Sequence, residues 1–137
     1  MQVLQKELYT GRFSILIDER ISPLSVASML KRVLREMPEP LCTTALYPDF
    51  RDLAFLVTED RIQPLKHIFM KMKSVFRNTF FCVLEILYHV AKQGTHNLMD
   101  ARSLSIVLAP NLFRPEKEGT QDLLEYKELT SVLALAI

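Results

Sequence analysis

Apolar side chains recur at intervals of three and four residues along most of this chain. Between Val26 and Met37 they fall on one face of a helix, and similar stripes run from Ile62 to Met72 and from Phe80 to Val90. Stretches in which apolar and polar residues alternate, as in a half-buried strand, are few. The pattern predicts an all-α fold in which amphipathic helices pack into one bundle.

Capping and breaking residues divide the chain into helices joined by short connections. Predicted starts lie at Ser22, Thr43 or Thr44, Thr58, Asn78 or Thr79, Asp100 and Thr120. Predicted ends lie at Pro38, about Leu56, Gly94 and Pro110. Residues 13–18 are predicted to be loop. We expect residues 1–137 to form a single domain, because no linker or repeat interrupts them.

Charge and composition exclude several classes of function. Seventeen basic and sixteen acidic residues leave a net charge of +1, so the chain lacks the basic field that recruits DNA or RNA. With three glycines, it has no glycine-rich loop to cradle a phosphate. His67, His89 and His96 share no metal-ligand spacing. We therefore expect no metal, no cofactor and no enzymatic active site of its own.

The two cysteines and the apolar segments bear on location. Cys42 and Cys82 are forty residues apart, and we interpret both as reduced thiols, buried or half-buried, in a cytoplasmic protein. The most apolar stretch, Thr79 to Ala91, carries Glu85 and His89 and is too short to cross a bilayer. The sequence predicts no transmembrane segment.

Two longer motifs carry a resemblance to a known family. Residues 26–41 read V-A-S-M-L-K-R-V-L-R-E-M-P-E-P-L, and residues 97–112 read N-L-M-D-A-R-S-L-S-I-V-L-A-P-N-L. Both blocks, and the helix between them, resemble signatures of the RhoGAP family in the same order and at the same separation. The resemblance covers nearly the whole chain, from about Leu4 onward.

The resemblance implies an all-α RhoGAP bundle that docks on the switch regions of a GTP-bound Rho-family GTPase and promotes GTP hydrolysis. In this family an arginine neutralises charge on the transferred phosphoryl group, and such a residue raises the rate by about three to five decades. The loop that carries it, of the type G-I-F-R, would align before Met1. Arg12 and Arg20 do not match that loop, and we expect both to lie on the surface. We therefore expect the bundle to be incomplete at its N-terminus, with no catalytic residue in these 137 residues.

The resemblance also places a GTPase-binding site on four residues. Lys31 and Arg35 match a family pair of cations that faces the GTPase, and they are neighbours on one helix flank. Without the resemblance, the alternative is that they are ordinary solvated charges. Ser103 replaces a family asparagine and offers a shorter polar group, so a contact there would be weaker or mediated by water. Ile106 matches an apolar contact position, with a core role as the alternative.

Other matched residues are predicted to be structural. Pro38 and Pro40 force an extended exit from the helix that precedes them. Pro110 is predicted to stop a helix, and Asn111 to bond nearby backbone. A basic run is predicted to be a solvated face, with an acidic lipid surface or a GTPase as alternatives; it comprises Lys66, His67, Lys71, Lys73 and Arg77.

Two functions remain open at this point. The first is a domain that activates Rho-family GTPases, acting as a regulator of another protein's catalysis. The alternative is a non-catalytic GTPase-binding scaffold, which the absence of a matching arginine loop and the serine at position 103 favour. We also expect an uncovered apolar flank around Leu4, Leu8 and Phe13, where preceding helices would pack. Nothing in the residues indicates which Rho-family member is preferred.

Overall fold

The computed structural model of the chain describes residues 2–12, 14, 19–57, 59–117 and 123–137, with the backbone alone for residues 2, 4, 5 and 8. Eight α-helices and no strand occur in these ranges, which confirms the predicted all-α class. The helices are α1 Gln2–Tyr9, α2 Pro23–Glu36, α3 Tyr47–Phe55, α4 Ile62–Lys71, α5 Ser74–Lys92, α6 Gly94–Asn97, α7 Ala101–Leu112 and α8 Leu123–Ala136.

Residues 1–37 form one compact unit, which contains α1 and α2. Ser22 caps α2, because its hydroxyl oxygen accepts a hydrogen bond from the backbone N–H of Ser25 at 3.2 Å. Pro23 occupies the first turn, where its missing N–H costs no helical bond. The backbone turns extended at Met37, directly before Pro38. Both predicted boundaries of α2 are confirmed.

Residues 38–137 form the second compact unit, and its core is built around aromatic rings. Phe50 of α3 is fully buried, with its ring centroid 6.0 Å from Phe69 of α4, 6.2 Å from Phe80 of α5 and 5.1 Å from Phe113. These four rings, which we call the phenylalanine cluster, join three helices to the end of α7. Edge-on and tilted contacts at these separations are favourable beyond the apolar area that they bury.

Helix α8 completes this unit by packing against α7 and α3. Its residues Leu129, Val132 and Leu133 are almost fully buried. Near its start, Glu125 accepts a hydrogen bond of 2.8 Å from the hydroxyl of Tyr47, a buried residue of α3. Helix α8 is therefore held by the apolar packing of these three residues and, near its start, by a hydrogen bond to α3.

The chain between α2 and α3 is a turn, and the predicted helix start at Thr43 or Thr44 was wrong. Thr43 has a φ of 62°, a left-handed conformation that an α-helix cannot contain. Its N–H donates to the carbonyl of Pro40 at 2.8 Å, and the N–H of Cys42 donates to that of Leu112 at 3.2 Å. Helix α3 begins only at Tyr47, with a proline in its first turn.

Helix α5 begins at Ser74, which is earlier than the start predicted at Asn78 or Thr79. Thr79 is not a cap: its hydroxyl donates to the carbonyl of Val75 one turn back, at 2.8 Å, as an interior helical threonine does. A link of two residues, Met72 and Lys73, separates α4 from α5. In the sequence, the apolar stripe of this helix was recognised only from Phe80 onward, because residues 74–79 are exposed or half-buried.

Several predictions fall on residues that the structure does not describe. They are the cap at Thr120, the loop at residues 13 and 15–18, and the apolar flank formed by the side chains of Leu4, Leu8 and Phe13. Thr58 is also outside the described residues, but the helix start predicted there was wrong, because α4 begins only at Ile62 with Arg61 at its N-cap position. In the described part of the chain, no helix combines the length and apolar character needed to cross a membrane.

Candidate functional site

The first set of candidate residues is a pair of cations on α2. Lys31 is half-buried and Arg35 is exposed, and their spacing of four residues puts them on one flank, which we call the α2 basic flank. The described part of the chain contains no ion pair of Lys31. Arg32, by contrast, donates from Nε to Glu36 at 2.8 Å, so its charge is balanced on the same helix.

The second set lies at the start of α7, where Asp100 caps the helix as predicted. Its carboxylate accepts a bond of 2.7 Å from the N–H of Ser103. That bond, together with one from the Ser103 hydroxyl, holds the pKa of Asp100 below its ordinary value. Ser103 is half-buried, and both its N–H and its hydroxyl bond to the carboxylate of Asp100.

Ile106 lies one turn beyond Ser103, and its side chain is 50% exposed. The alternative that it belongs to the core therefore does not hold. Spacing of three residues puts Ser103 and Ile106 on the same side of α7. An exposed branched apolar side chain beside a polar group is the composition of a protein contact, and lone exposed apolar residues are also common on surfaces.

Pro110 lies inside α7 instead of ending it, so this predicted helix end was wrong by two residues. Proline has no N–H to donate to the carbonyl four residues back, which belongs to Ile106. The hydroxyl of Tyr126 on α8 donates to that carbonyl instead. Asn111, which is buried, donates from its side-chain amide to the carbonyl of Val107 at 2.9 Å. The carbonyls of Ile106 and Val107 thus both accept from side-chain donors in the turn that leads to the proline.

A groove of about 450 Å³ runs between α7 and α8 beside Ile106. Its lining combines two cations, an acid, an isoleucine, a tyrosine and three small residues: Arg102, Ile106, Tyr126, Lys127, Glu128, Thr130, Ser131 and Ala134. Sequence reasoning missed Tyr126 because its partner is a backbone carbonyl twenty residues away, for which no side-chain pattern exists. The proline inside a helical block was the one available signal, since it frees a carbonyl.

The remaining predicted residues are structural or on the surface. Pro40 is buried and Pro38 exposed in the turn after α2. The exposed guanidinium of Arg12 pairs with Glu7 at 3.1 Å, and Arg20 is also exposed. In the basic run, Lys71 pairs with Asp49 of α3 at 2.9 Å, which reduces the positive charge of that face.

The candidate residues fall into two groups, each contiguous on its own helix. Lys31 and Arg35 belong to residues 1–37, and Ser103 and Ile106 to residues 38–137. Among the described side chains, no group of three or more histidines, cysteines and acids could hold a metal ion. Taken separately, the first group offers positive charge on a helix flank, and the second offers an exposed apolar side chain beside a polar one.

Comparisons with known proteins identify the class of this domain. The profile of the RhoGAP domain matches residues 1–117. Mouse Rho GTPase-activating protein 40 is 33% identical over 115 residues, an alignment that covers 83% of this chain and 17% of that protein. The GTPase-activating protein pac-1 of Caenorhabditis elegans is 33% identical over 91 residues, which are 66% of this chain and 6% of that protein.

A solved structure agrees with the sequence comparisons. The crystal structure of the BH domain from GRAF, the GTPase regulator associated with focal adhesion kinase, matches with a TM-score of 0.74 and 25% identity. The match covers 89% of this chain and 69% of that one. These similarities define an all-α regulatory domain of GTPase-activating proteins. The chain belongs to the RhoGAP family, and it spans less than a fifth of the length of the mouse relative.

Proposed function

We propose that this chain binds a GTP-bound Rho-family GTPase in the cytoplasm and takes part in activating its GTP hydrolysis. Membership of the RhoGAP family supports this proposal. The single observation that carries it is the α2 basic flank, where Lys31 is half-buried and Arg35 is exposed on one side of the helix.

Electrostatics make this flank suited to an acidic partner surface. Two neighbouring cations steer an acidic partner during encounter and raise the association rate. An exposed isoleucine at position 106 adds apolar contact area. On this proposal, the flank sets the speed and register of docking, and α7 adds contacts that slow dissociation.

A second function is favoured by one specific observation. Arg12, one of the two arginines before the first motif, holds its guanidinium in an ion pair with Glu7. We therefore propose that residues 1–137 contribute binding, and that acceleration of GTP hydrolysis requires an arginine from outside these residues. The second function is that of a scaffold, which binds the GTPase without accelerating its reaction.

Single-turnover GTP hydrolysis by several Rho-family GTPases, with and without the chain, separates these functions. Binding is measured in parallel on the GDP form, the form with a non-hydrolysable GTP analogue, and the form with GDP and aluminium fluoride. Tighter binding to the two latter forms supports the proposal. Acceleration above about tenfold by residues 1–137 alone would contradict the proposed need for an arginine from outside them, and Arg12→Ala and Arg20→Ala would then show whether either residue supplies it.

The role of the α2 basic flank is tested by Lys31→Ala combined with Arg35→Ala. We expect about tenfold weaker binding, mainly through slower association, and a weaker dependence on salt. Lys66→Ala and Arg32→Ala are matched controls, because each removes an exposed cation outside the flank, and both should leave binding within about twofold. Equal losses from controls and flank variants would mean that net charge, not this flank, determines binding.

A further inference from the structure

The carbonyl of Ile106 is the one in α7 that Pro110 leaves without its normal helical donor. In an α-helix each carbonyl accepts from the N–H four residues later, and here that position is a proline. Prolines inside helices produce kinks because this bond is lost and because the ring crowds the carbonyl four residues earlier. The turn that carries Ile106 would be free to bend if nothing replaced the missing donor.

The replacement is the hydroxyl of Tyr126, which donates to this carbonyl from α8. The tyrosine is itself held in place. The residue before it, Glu125, accepts a bond of 2.8 Å from Tyr47 of α3, and the hydroxyl of Thr130 donates to the carbonyl of Tyr126 at 2.9 Å. The phenol therefore projects from a helix start that is fixed against a buried residue of another helix.

Ile106 thus has its carbonyl fixed by α8 while its side chain is half exposed beside the α7–α8 groove. We infer that Tyr126 is a positioning residue for the partner-binding surface of α7: its hydroxyl replaces the N–H that Pro110 lacks and sets the direction in which Ile106 meets the GTPase. This inference rests on the proposed function. It assigns a role in binding to α8, which lies outside the segment that the RhoGAP profile matches.

The test compares the affinity of the 137-residue chain and its variants for the GTPase loaded with a non-hydrolysable GTP analogue. Tyr126→Phe removes the hydroxyl alone, and we expect about fivefold weaker binding. Tyr88→Phe, at an exposed tyrosine of α5, is the matched control and should leave affinity unchanged. All measurements are made at a temperature where circular dichroism shows each variant to be folded.

Two further backgrounds separate positioning from a purely structural role. In Pro110→Ala the restored N–H can donate to Ile106, so adding Tyr126→Phe should then change affinity by less than about twofold. In Ile106→Ala the contact is gone, so Tyr126→Phe should again add no loss. A purely structural hydrogen bond would lower the thermal midpoint of Tyr126→Phe and leave the affinity of this folded variant equal to that of the wild type.

The outcomes distinguish this inference from the function on which it rests. Binding by the wild-type chain with full affinity retained in Tyr126→Phe overturns the role of Tyr126 and leaves the proposed function standing. An undiminished fivefold loss in the Ile106→Ala background also overturns it, because the tyrosine would then act elsewhere. Failure of the wild-type chain to bind any Rho-family GTPase overturns both.

Discussion

Cys42 lies fully buried in the turn before α3, with its thiol 3.6 Å from the carbonyl oxygen of Thr43. Burial removes water from the thiolate form and raises the pKa of this thiol from 9.0 to about 12. Cys82, on α5, is exposed, so the prediction that both thiols are at least half-buried was wrong for this one. The apolar neighbours of Cys82 in sequence do not reveal which side of the helix it occupies.

The shifted pKa of Cys42 predicts a loss of stability at alkaline pH. In the unfolded chain the thiol loses its proton above pH 9, whereas in the folded chain it keeps it to about pH 12. Its contribution is thus fully present below pH 9 and falls as the pH rises, by about 1 kcal/mol at pH 10. The measurement is urea unfolding of the wild type and Cys42→Ala between pH 7 and pH 10.5.

The difference between the two proteins isolates this residue, because other titrating groups are common to both. We expect the stability advantage of the wild type over Cys42→Ala to shrink steadily above pH 9. Cys82→Ala serves as the control and should show no such trend. A constant difference between wild type and Cys42→Ala across this range would mean that the thiol is accessible to water.

At the scale of elements, the phenylalanine cluster is what makes three helices and the end of α7 a single core. Phe50 contacts the other three rings, and Phe69 and Phe80 also meet edge-on at 5.3 Å. Because Phe50 is fully buried, its ring has no solvent-facing side onto which neighbours could relax. Loss of this ring would leave a cavity that is bounded by all four segments.

We expect Phe50→Ala to lower the free energy of unfolding by about 3–5 kcal/mol, the range for truncation of a buried phenylalanine. Phe55→Ala is the matched control on the same helix, since Phe55 is 45% exposed, and it should cost much less. Denaturant unfolding followed by circular dichroism measures both. Similar losses from the two variants would show that the cluster is not the centre of the core.

The positions and limits of these helices were partly predictable from sequence. Periodicity located α2 and α4 because one face of each is apolar, and the Ser22 and Asp100 caps are local features that a short segment reveals. The start of α3 was missed because the turn at Thr43 depends on a backbone bond between Cys42 and Leu112, seventy residues apart. The end of α7 was missed because the donor that compensates Pro110 comes from another helix.

The candidate site was predictable only through resemblance. Period and charge alone could not distinguish Lys31 and Arg35 from ordinary surface cations, because an exposed cation has the same local pattern in either case. Their accessibility agrees with a binding role, which stays a prediction. The role of Tyr126 could not be predicted from sequence, because a hydrogen bond from its hydroxyl to a distant backbone carbonyl produces no pattern of residues along the chain.

On the scale of the whole molecule, the buried apolar residues are unevenly distributed. Of the described residues, only Met29 and Leu34 in the segment 1–37 are buried apolar side chains, while residues 38–137 contain the phenylalanine cluster and the buried face of α8. A chain of fewer than about 40 residues rarely folds alone, because it buries too little surface. The two units should therefore differ in their ability to fold alone, with residues 38–137 the more stable of the two.

We expect residues 38–137 to fold without the first 37 residues, with a helical circular dichroism spectrum and a cooperative thermal transition. Residues 1–37 alone should show little helix, since two short helices without a core are marginal. The larger fragment should also lose most GTPase binding with the α2 basic flank. A larger fragment without a cooperative transition would show that the folding unit includes both segments and that residues 1–137 form one domain.

The packing of helix α8 affects where the C-terminal boundary of such a domain should be placed. The match to the RhoGAP profile ends at residue 117, yet the helix that follows packs against α3 and α7 and supplies the hydroxyl that bonds the carbonyl of Ile106. A polypeptide that ended at residue 117 would lack α8, so the faces of α3 and α7 that pack against it would be exposed and the carbonyl of Ile106 would lose the Tyr126 hydroxyl. Limits for expression or engineering are better read from packing than from similarity.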